Sequence, residues 1–413
     1  MELIDLLYLG IYYIMLFAST LWILLFLTKR RGVFFNPKSS KNLKITFMIP
    51  AFNEEKHIKK CIDSILNLDY PRKNIKTIVV NDGSTDRTKE ICEEYERKGL
   101  IKLINQKHSG KASALNHALK FVKTNFVATL DADSFVTSSY LSQILGYFKK
   151  NEVVVVTPAI KITRDKTLSE RLQWLEYLFS IFLRKMFAIF GCQYVIPGPG
   201  SVYRTSILKE VGGFDENSIV EDTEIGFRLQ NNRYEIENSM DAIVYTEAPN
   251  AFSKLYSQRI RWYRGYLQNV SEYSHMILNP KFGNLGMFLI PFNFVWFFIL
   301  GAIVVDISYR IFSTLLIVIK SCSLVGWDIY YLISNVNIPL DIFYLNVYTI
   351  FTIIFTIIAV LIVKISFKCS FKKINVRKKK LNCIVFLFLY PIFISILWLN
   401  SIVEEILKRK RRW

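Results

Sequence analysis

The stretch Phe126-Val127-Ala128-Thr129-Leu130-Asp131-Ala132-Asp133 decides the fold. An unbroken run of apolar and β-branched residues reads as a short strand buried on both faces. Two carboxylates, one residue apart, follow at its carboxyl end. Further strand candidates lie upstream at 45–50, 76–80 and 101–104, and downstream at 153–156. Helical patterns over 54–66, 85–98, 111–121 and 138–150 fall between them. This alternation implies a mostly parallel α/β sheet. Such sheets bind ligands at the carboxyl ends of their strands, and the polar residues gather there.

Each of those ends offers chemistry beside a plainer reading. After the 76–80 strand comes Asn81-Asp82-Gly83-Ser84-Thr85-Asp86. Asp82 can accept a hydrogen bond from a base or ribose, and Gly83 permits a tight turn before a helix capped by Ser84 or Thr85. The same residues equally read as only a turn and an N-cap. Asp131 and Asp133 can converge on a hard divalent cation, since magnesium takes one or two carboxylates plus substrate phosphates. They also read as a solvated turn. Gly110-Lys111-Ala112-Ser113 lacks the earlier glycine of a Walker A loop, because Asn105 stands there. Lys111 can still meet a diphosphate near a helix N-terminus.

Further along, Pro197-Gly198-Pro199-Gly200-Ser201 is a rigid turn with room for close backbone approach. Val220-Glu221-Asp222-Thr223-Glu224 packs three acids into four residues. Their mutual repulsion suits a site that keeps Asp222 ready as a base. The alternative is an acidic cap, with Thr223 opening a helix over 223–231. In Gln258-Arg259-Ile260-Arg261-Trp262, a helix places Gln258, Arg261 and Trp262 on one face. A guanidinium beside an indole suits a phosphate next to a sugar ring, although an interfacial Trp on a membrane-docked helix has the same pattern.

Outside this region the chain is a membrane sequence. Runs of 22, 19, 22 and 23 residues at 6–27, 287–305, 342–363 and 381–403 carry no charge, and about 20 residues cross a bilayer. A shorter apolar stretch at 311–319 fits the interface. The formal charge is +19, with 52% apolar residues. Six basic residues at 29–44, eight at 364–380 and five at 408–412, with no acid among them, account for it. Each cluster follows an apolar run, as membrane flanks do. A nucleic-acid partner, which needs basic residues spread over a folded face, is excluded. The positive flanks put the N-terminus outside and 32–286 in the cytoplasm. Crossings at 287–305 and 342–363 bring 364–380 back inside. One more crossing would put 408–412 outside, against the rule. Either the last segment folds back near Pro391, or 307–325 also crosses. The six cysteines show no C-x-x-C pairing and read as free thiols, and the four histidines lack zinc-ligand spacing.

In order, Ala51-Phe52-Asn53-Glu54, Asn81 to Asp86, Asp131-Ala132-Asp133, Glu221-Asp222 and Gln258-x-x-Arg261-Trp262 resemble the family 2 glycosyltransferases of GT-A fold. Within that family they look most like processive polysaccharide synthases, poly-β-1,6-N-acetylglucosamine synthases above all. The resemblance covers roughly residues 44–270 and implies an α/β GT-A nucleotide-diphospho-sugar transferase domain plus an α-helical transmembrane bundle. It implies a membrane helix and flank at 1–31, a catalytic region at 32–280 (a nucleotide half at 44–158, an acceptor half at 159–280), and three or four helices at 281–413.

Carried over, the family's roles imply that Glu54 and Asp82 contact the base and ribose. Asp131 and Asp133 face the diphosphate, with Asp133 the surer ligand of Mg²⁺ or Mn²⁺. Asp222 is the general base beside Glu221, Arg261 neutralises the leaving diphosphate, and Trp262 stacks under the acceptor sugar. Gln258 helps hold both, Lys111 meets the diphosphate, and Gly198 borders the acceptor. Pro197 and Pro199 depart from the small or hydroxyl residues of relatives and bear on which acceptor and linkage are used. The implied partners are a UDP-sugar, a growing polysaccharide, the lipid bilayer and, by analogy, a small accessory membrane subunit. The implied activity is inverting, processive β-transfer from UDP-N-acetylglucosamine at the plasma membrane, by a multi-pass protein with a cytoplasmic catalytic domain. Hyaluronan, chitooligosaccharide or cellulose-type synthesis, and single additions to a lipid or glycan, share the same donor site. A non-catalytic scaffold or channel subunit is the reading from a different class.

Overall fold

Ile45–Ala51 (β1) is apolar apart from Thr46, and nearly every residue is buried, as befits a central strand covered on both faces. Ile75–Asp82 (β2), Lys102–Gln106 (β3) and Phe126–Thr129 (β4) extend it with parallel pairing, β2 to one side of β1 and β4 to the other. The sheet then turns mixed. Phe135–Val136 (β5), Val153–Ile162 (β6), Val202–Arg204 (β7) and Glu235–Thr246 (β8) complete eight strands in the order β3-β2-β1-β4-β7-β6-β8-β5. The short β7 runs antiparallel to both β4 and β6 and bridges the two halves.

The computed structural model describes residues 3–37, 39, 42–324, 326, 347–370 and 380–407. Residues 38 and 41 of the first basic cluster, 342–346 of the third expected span, 371–379 of the second cluster and the whole 408–412 cluster lie outside them. The helices are Leu3–Val33 (α1), Ile58–Leu66 (α2), Thr88–Arg97 (α3), Lys111–Lys120 (α4), Tyr140–Ile144 (α5), Leu168–Ile189 (α6), Thr205–Glu210 (α7), Glu221–Asn231 (α8), Phe252–Glu272 (α9), Ile290–Leu324 (α10), Val347–Ser370 (α11), Lys380–Phe388 (α12) and Tyr390–Ile406 (α13). Two apolar cores flank the sheet. One packs α2 and α5 against Ile45, Phe47 and Ile49; the other packs α4 and α8 against Met48, Ile78 and Val127.

Several helix starts differ from the sequence reading: α2 opens at Ile58 rather than 54, because Glu54 and Glu55 are held by Thr88 and Asp86, α5 opens at Tyr140 rather than 138, and α3 and α8 differ as follows. Ser84 and Thr85 do not cap α3, because their polar groups are taken across the cleft. Ser84 Oγ accepts from Asn53 N at 3.1 Å, and Asn53 Oδ1 accepts from Thr85 N at 2.8 Å. Arg87 stands at the N-cap without a side-chain capping bond, and Asp86 just ahead of it accepts from Thr88 N at 3.0 Å. Likewise α8 opens at Glu221, not Thr223, so Glu221, Asp222 and Glu224 all sit in its first turn, where the helix dipole favours negative charge.

The span Tyr8–Val33, the segment 285–324 and the pair 381–406 are long and apolar enough to cross a membrane. The 311–319 stretch is no separate element but part of α10. Asp306 and Arg310 pair one turn apart at 2.8 Å, which lets the helix carry both charges. α6 joins the two worlds. One face packs on β6 through Ala159; elsewhere it meets Trp22 and Phe26 of α1, Phe367 of α11 and Phe386 of α12. The last apolar segment breaks at Leu389, and its second half lies alongside α9. Phe393 meets Phe252, Asn400 bonds Tyr256, Trp398 stacks on Tyr263 at 4.1 Å, and Glu405 pairs with Arg264 at 2.8 Å.

Candidate active site

The site lies where the parallel strands end. β1 and β2 finish in loops laced to each other. Asn53 adopts a left-handed backbone (φ 56°), and Glu54 N donates to Thr88 Oγ1 at 2.7 Å. Glu55 N donates to Asp86 Oδ2 at 3.1 Å. Glu54 is thereby held facing Asp131 and Asp133 at the end of β4. Burial, then the charges of Asp133 and Asp131, push its carboxyl up to about 7. Burial and Asp131 push Asp133 up to about 6. Three carboxylates crowd one another here, and oxygen-only donors of this kind match a hard divalent cation. Among the described residues no three or more His, Cys, Asp or Glu side chains are grouped so as to hold a metal ion, so Glu54 does not join the aspartate pair as a third ligand. A cation at Asp131 and Asp133 would therefore complete its shell with oxygens from elsewhere.

Asp82 is buried and serves the next loop. Its Oδ1 accepts from Gln106 Nε2 at 2.8 Å and Ser109 N at 2.9 Å, and its Oδ2 accepts from Gly110 N at 2.9 Å with His108 Nδ1 also 2.9 Å away. These four donors match the acceptor capacity of a carboxylate, so in this structure Asp82 shapes the 106–110 loop. That loop sets His108 parallel to Phe52, ring centroids 4.1 Å apart, beside the strand ends. The loop also delivers Lys111 at the head of α4.

Lys111 is the hub of the site. Its Nζ lies 2.8 Å from Asp131 Oδ1 and 3.1 Å from Glu221 Oε1. Burial alone would lower this amine, but Asp131 and Glu221 hold it above its usual range. Burial would raise Glu221, and Lys111 more than offsets this and holds it below the usual carboxylate range. Among the described residues Asp222 has no such cation in contact. Burial and Glu221 push it up to about 6, against the opposing pull of Lys111 and Arg261. Its Oδ2 accepts from Gly198 N at 3.2 Å.

The 197–201 turn is fixed to β4. Thr129 Oγ1 donates to Gly198 O at 2.6 Å, and Gly200 N donates to Thr129 O at 2.7 Å. Gly198 then sits against the hub: a Cβ there would lie 2.6 Å from Lys111 Nζ and 3.4 Å from Asp131 Oδ2. α9 closes the other side. A Cβ at Gly265 would lie 2.3 Å from Val220 Cγ2, so glycine lets α9 press on the head of α8. This brings Arg261 within electrostatic reach of Glu221 and Asp222.

The structure thus gathers Glu54, Lys111, Asp131, Asp133, Gly198, Glu221, Asp222 and Arg261 into one cleft, with Asp82 behind its loop and Gln258 and Trp262 on α9. Sequence reading passed over Arg259, which is fully buried and ion-paired to Glu176 of α6, with its guanidinium 4.1 Å from the centre of the Trp262 ring. Its spacing of three from Trp262 was the available signal, since such residues are neighbours on a helix. His108 carried no local signal.

Residues 46–212 match the profile of Glycosyl transferase family 2. The chain is 31% identical over 286 residues to the "Probable glycosyltransferase YdaM" of Bacillus subtilis, covering 65% of this chain and 67% of that protein. It is 31% identical over 224 residues to a poly-beta-1,6-N-acetyl-D-glucosamine synthase of Staphylococcus epidermidis, covering 54% of each, so the chain spans about half the length of that relative. Among solved structures, a Pyrobaculum calidifontis mannosyltransferase, determined with GDP-Man and Mn²⁺, superposes with a TM-score of 0.51 at 19% identity. The match covers 64% of this chain and 75% of that one, a likeness of fold.

Proposed function

The chain belongs to glycosyl transferase family 2, and from that premise we propose that it is a membrane-embedded, inverting, processive β-glycosyltransferase using UDP-N-acetylglucosamine. One observation carries the reading. Asp222, raised toward neutrality and held at Gly198, has Arg261 on one side and the Asp131–Asp133 pair beyond Lys111 on the other. A lone base, a cation and a dication-type carboxylate pair are what a single displacement of a nucleoside diphosphate requires.

In this mechanism the base and ribose lie along the 106–110 loop, over the Phe52–His108 pair, with Glu54 and the Asp82-ordered backbone as neighbours. Asp133 and Asp131 would hold Mg²⁺ or Mn²⁺. When bound, the cation offsets charge on the diphosphate oxygens. Lys111 shifts from Asp131 toward those oxygens, and Glu221 keeps it in range. Gln258 and Trp262 seat the acceptor sugar. Asp222 takes the proton of the acceptor hydroxyl as that oxygen attacks the anomeric carbon. The bond to the diphosphate breaks on the opposite face, inverting the centre, and Arg261 meets the departing charge.

The membrane arrangement follows the same reading. α1 enters from outside, the α/β domain lies in the cytoplasm, and α10 and α11 cross out and back. The α12–α13 pair lies along the inner interface and does not cross. Its two ends dock on α6 and α9 of the catalytic domain, while Ile384, Phe388, Ile396 and Val403 present an apolar face outward. The fold-back near Pro391 is therefore the favoured alternative, and it keeps 408–412 on the cytoplasmic side. The acceptor end of the cleft, on α9, then abuts the membrane helices, as export of a growing chain requires.

The test is synthesis by purified protein in nanodiscs from radiolabelled UDP-sugars with Mg²⁺ or Mn²⁺, followed by digestion with linkage-specific glycosidases. A β-1,6-N-acetylglucosamine polymer is expected. Incorporation from no UDP-sugar would refute the reading, and single additions only would refute processivity.

A further inference from the structure

We infer that Glu176, Arg259 and Tyr390 form a positioning relay that fixes Trp262 and ties its orientation to the α12–α13 pair. The inference rests on the assignment of Trp262 to the acceptor face. Arg259 is 0% exposed and sits one turn from Trp262 on α9. One edge of its guanidinium is ion-paired to Glu176 of α6. Its Nη1 donates to Gln258 Oε1 at 3.2 Å, and its Cζ lies 4.1 Å from the Trp262 ring centre. Both α9 residues proposed to seat the acceptor are therefore held by the same guanidinium. Tyr390, at the break between α12 and α13, donates its hydroxyl to Glu176 Oε2 at 2.9 Å. One carboxylate thus receives a cation from the acceptor helix and a hydroxyl from the membrane-side helix.

The chemistry explains why each group is needed. A buried guanidinium stays in place only with a hydrogen-bonded carboxylate. Its rigid fork and flat face let it pair and stack at once, which lysine cannot copy. Tyr390 adds a direction to Glu176, so a movement of α13 against α6 is felt at Arg259 and from there at the indole. A side chain that acts on the acceptor through Trp262 should alter acceptor use without altering the nucleotide end of the cleft.

The experiment compares E176Q, R259K, Y390F and W262A with the wild type in nanodiscs, reading acceptor KM, product length and, separately, UDP affinity by calorimetry. E176Q and R259K are expected to raise acceptor KM and lower kcat by on the order of 100-fold through misplacement, and to shorten the products. Y390F, which removes one hydroxyl and spares folding, is expected to raise acceptor KM about tenfold, the effect of one hydrogen bond to a charged group. UDP affinity should stay within about twofold of wild type, because none of the three residues contacts the groups assigned to the nucleotide and distant sites act nearly independently. Wild-type acceptor KM and product length in folded Y390F and E176Q would overturn the relay. So would a UDP affinity that falls in step with transfer. An unchanged acceptor KM in W262A would instead overturn the acceptor-face reading and the relay with it.

Discussion

Replacing Asp222 with Asn should make the protein more stable and nearly inactive. The folded protein raises this carboxyl from 3.8 to about 6, by burial and by Glu221. A rise of that size corresponds to about 3 kcal/mol between the protonation states. The folded state prefers the protonated acid, so the wild type is at full stability below about pH 4 and loses it as pH rises toward 6. Asn cannot ionise and can still accept from Gly198 N. D222N should therefore match the wild type at pH 4 and exceed it by about 2–3 kcal/mol above pH 6. Transfer should fall by about 100-fold or more, the usual loss with a general base. In the wild type, transfer should decline as pH drops through 6. The assay is thermal unfolding by tryptophan fluorescence at pH 4.5 and 7.5, beside radiolabel incorporation on the same samples. A stability difference that does not change with pH would refute the buried-charge argument. Full activity in D222N would refute the base.

Three further outcomes follow from the same geometry. K111M should weaken UDP binding by about 10- to 100-fold, the weight of a charged hydrogen bond, read by calorimetry. It should also destabilise the fold, because Glu221 loses the only cation in contact with it among the described residues. G198A should fold yet lose most activity, because its Cβ would displace Lys111 Nζ, 2.6 Å away; steady-state kinetics with an unchanged melting curve is the check. Chelation by EDTA should abolish transfer and Mg²⁺ or Mn²⁺ restore it, whereas D133N should demand more metal for half-activation, by about tenfold or more on loss of a charged ligand.

The parallel half of the sheet was legible because its strands are unbroken apolar runs ending in polar loops. β7 was not, since three residues are too few to show a period. β8 was missed because Glu237, Asn238, Ser239 and Asp241 interrupt its apolar spacing, where it shifts register against β6. The cluster of Lys111, Asp131 and Glu221 joins residues 110 positions apart in the chain (111 to 221), and only the order of the motifs hinted at it. Asp82 was readable as a functional carboxylate, but its work in holding Gln106, Ser109 and Gly110 depends on a loop that comes into reach only when β2 and β3 pair. The docking of α13 left no mark at all, since an uncharged run of 23 residues looks the same whether it crosses a bilayer or lies on a helix.

The three arginines of α9 show why charge must be read by position. Arg259, Arg261 and Arg264 sit within two turns of one helix, yet at 3.6 residues per turn they point in three directions. Arg259 goes to Glu176 on α6, Arg261 toward Glu221 and Asp222 in the cleft, and Arg264 to Glu404 and Glu405 at the end of α13. Each direction meets carboxylate, so none of the three adds to the excess of +19, which resides in the flanks of the apolar runs. Buried ion pairs add little to stability overall, but removing one partner is costly. Their consequence here is geometric. A helix pinned by charge on three sides has little freedom to slide or turn. The residues it presents to the cleft are thus set jointly by α6, by Glu221 and Asp222 at the head of α8, and by α13.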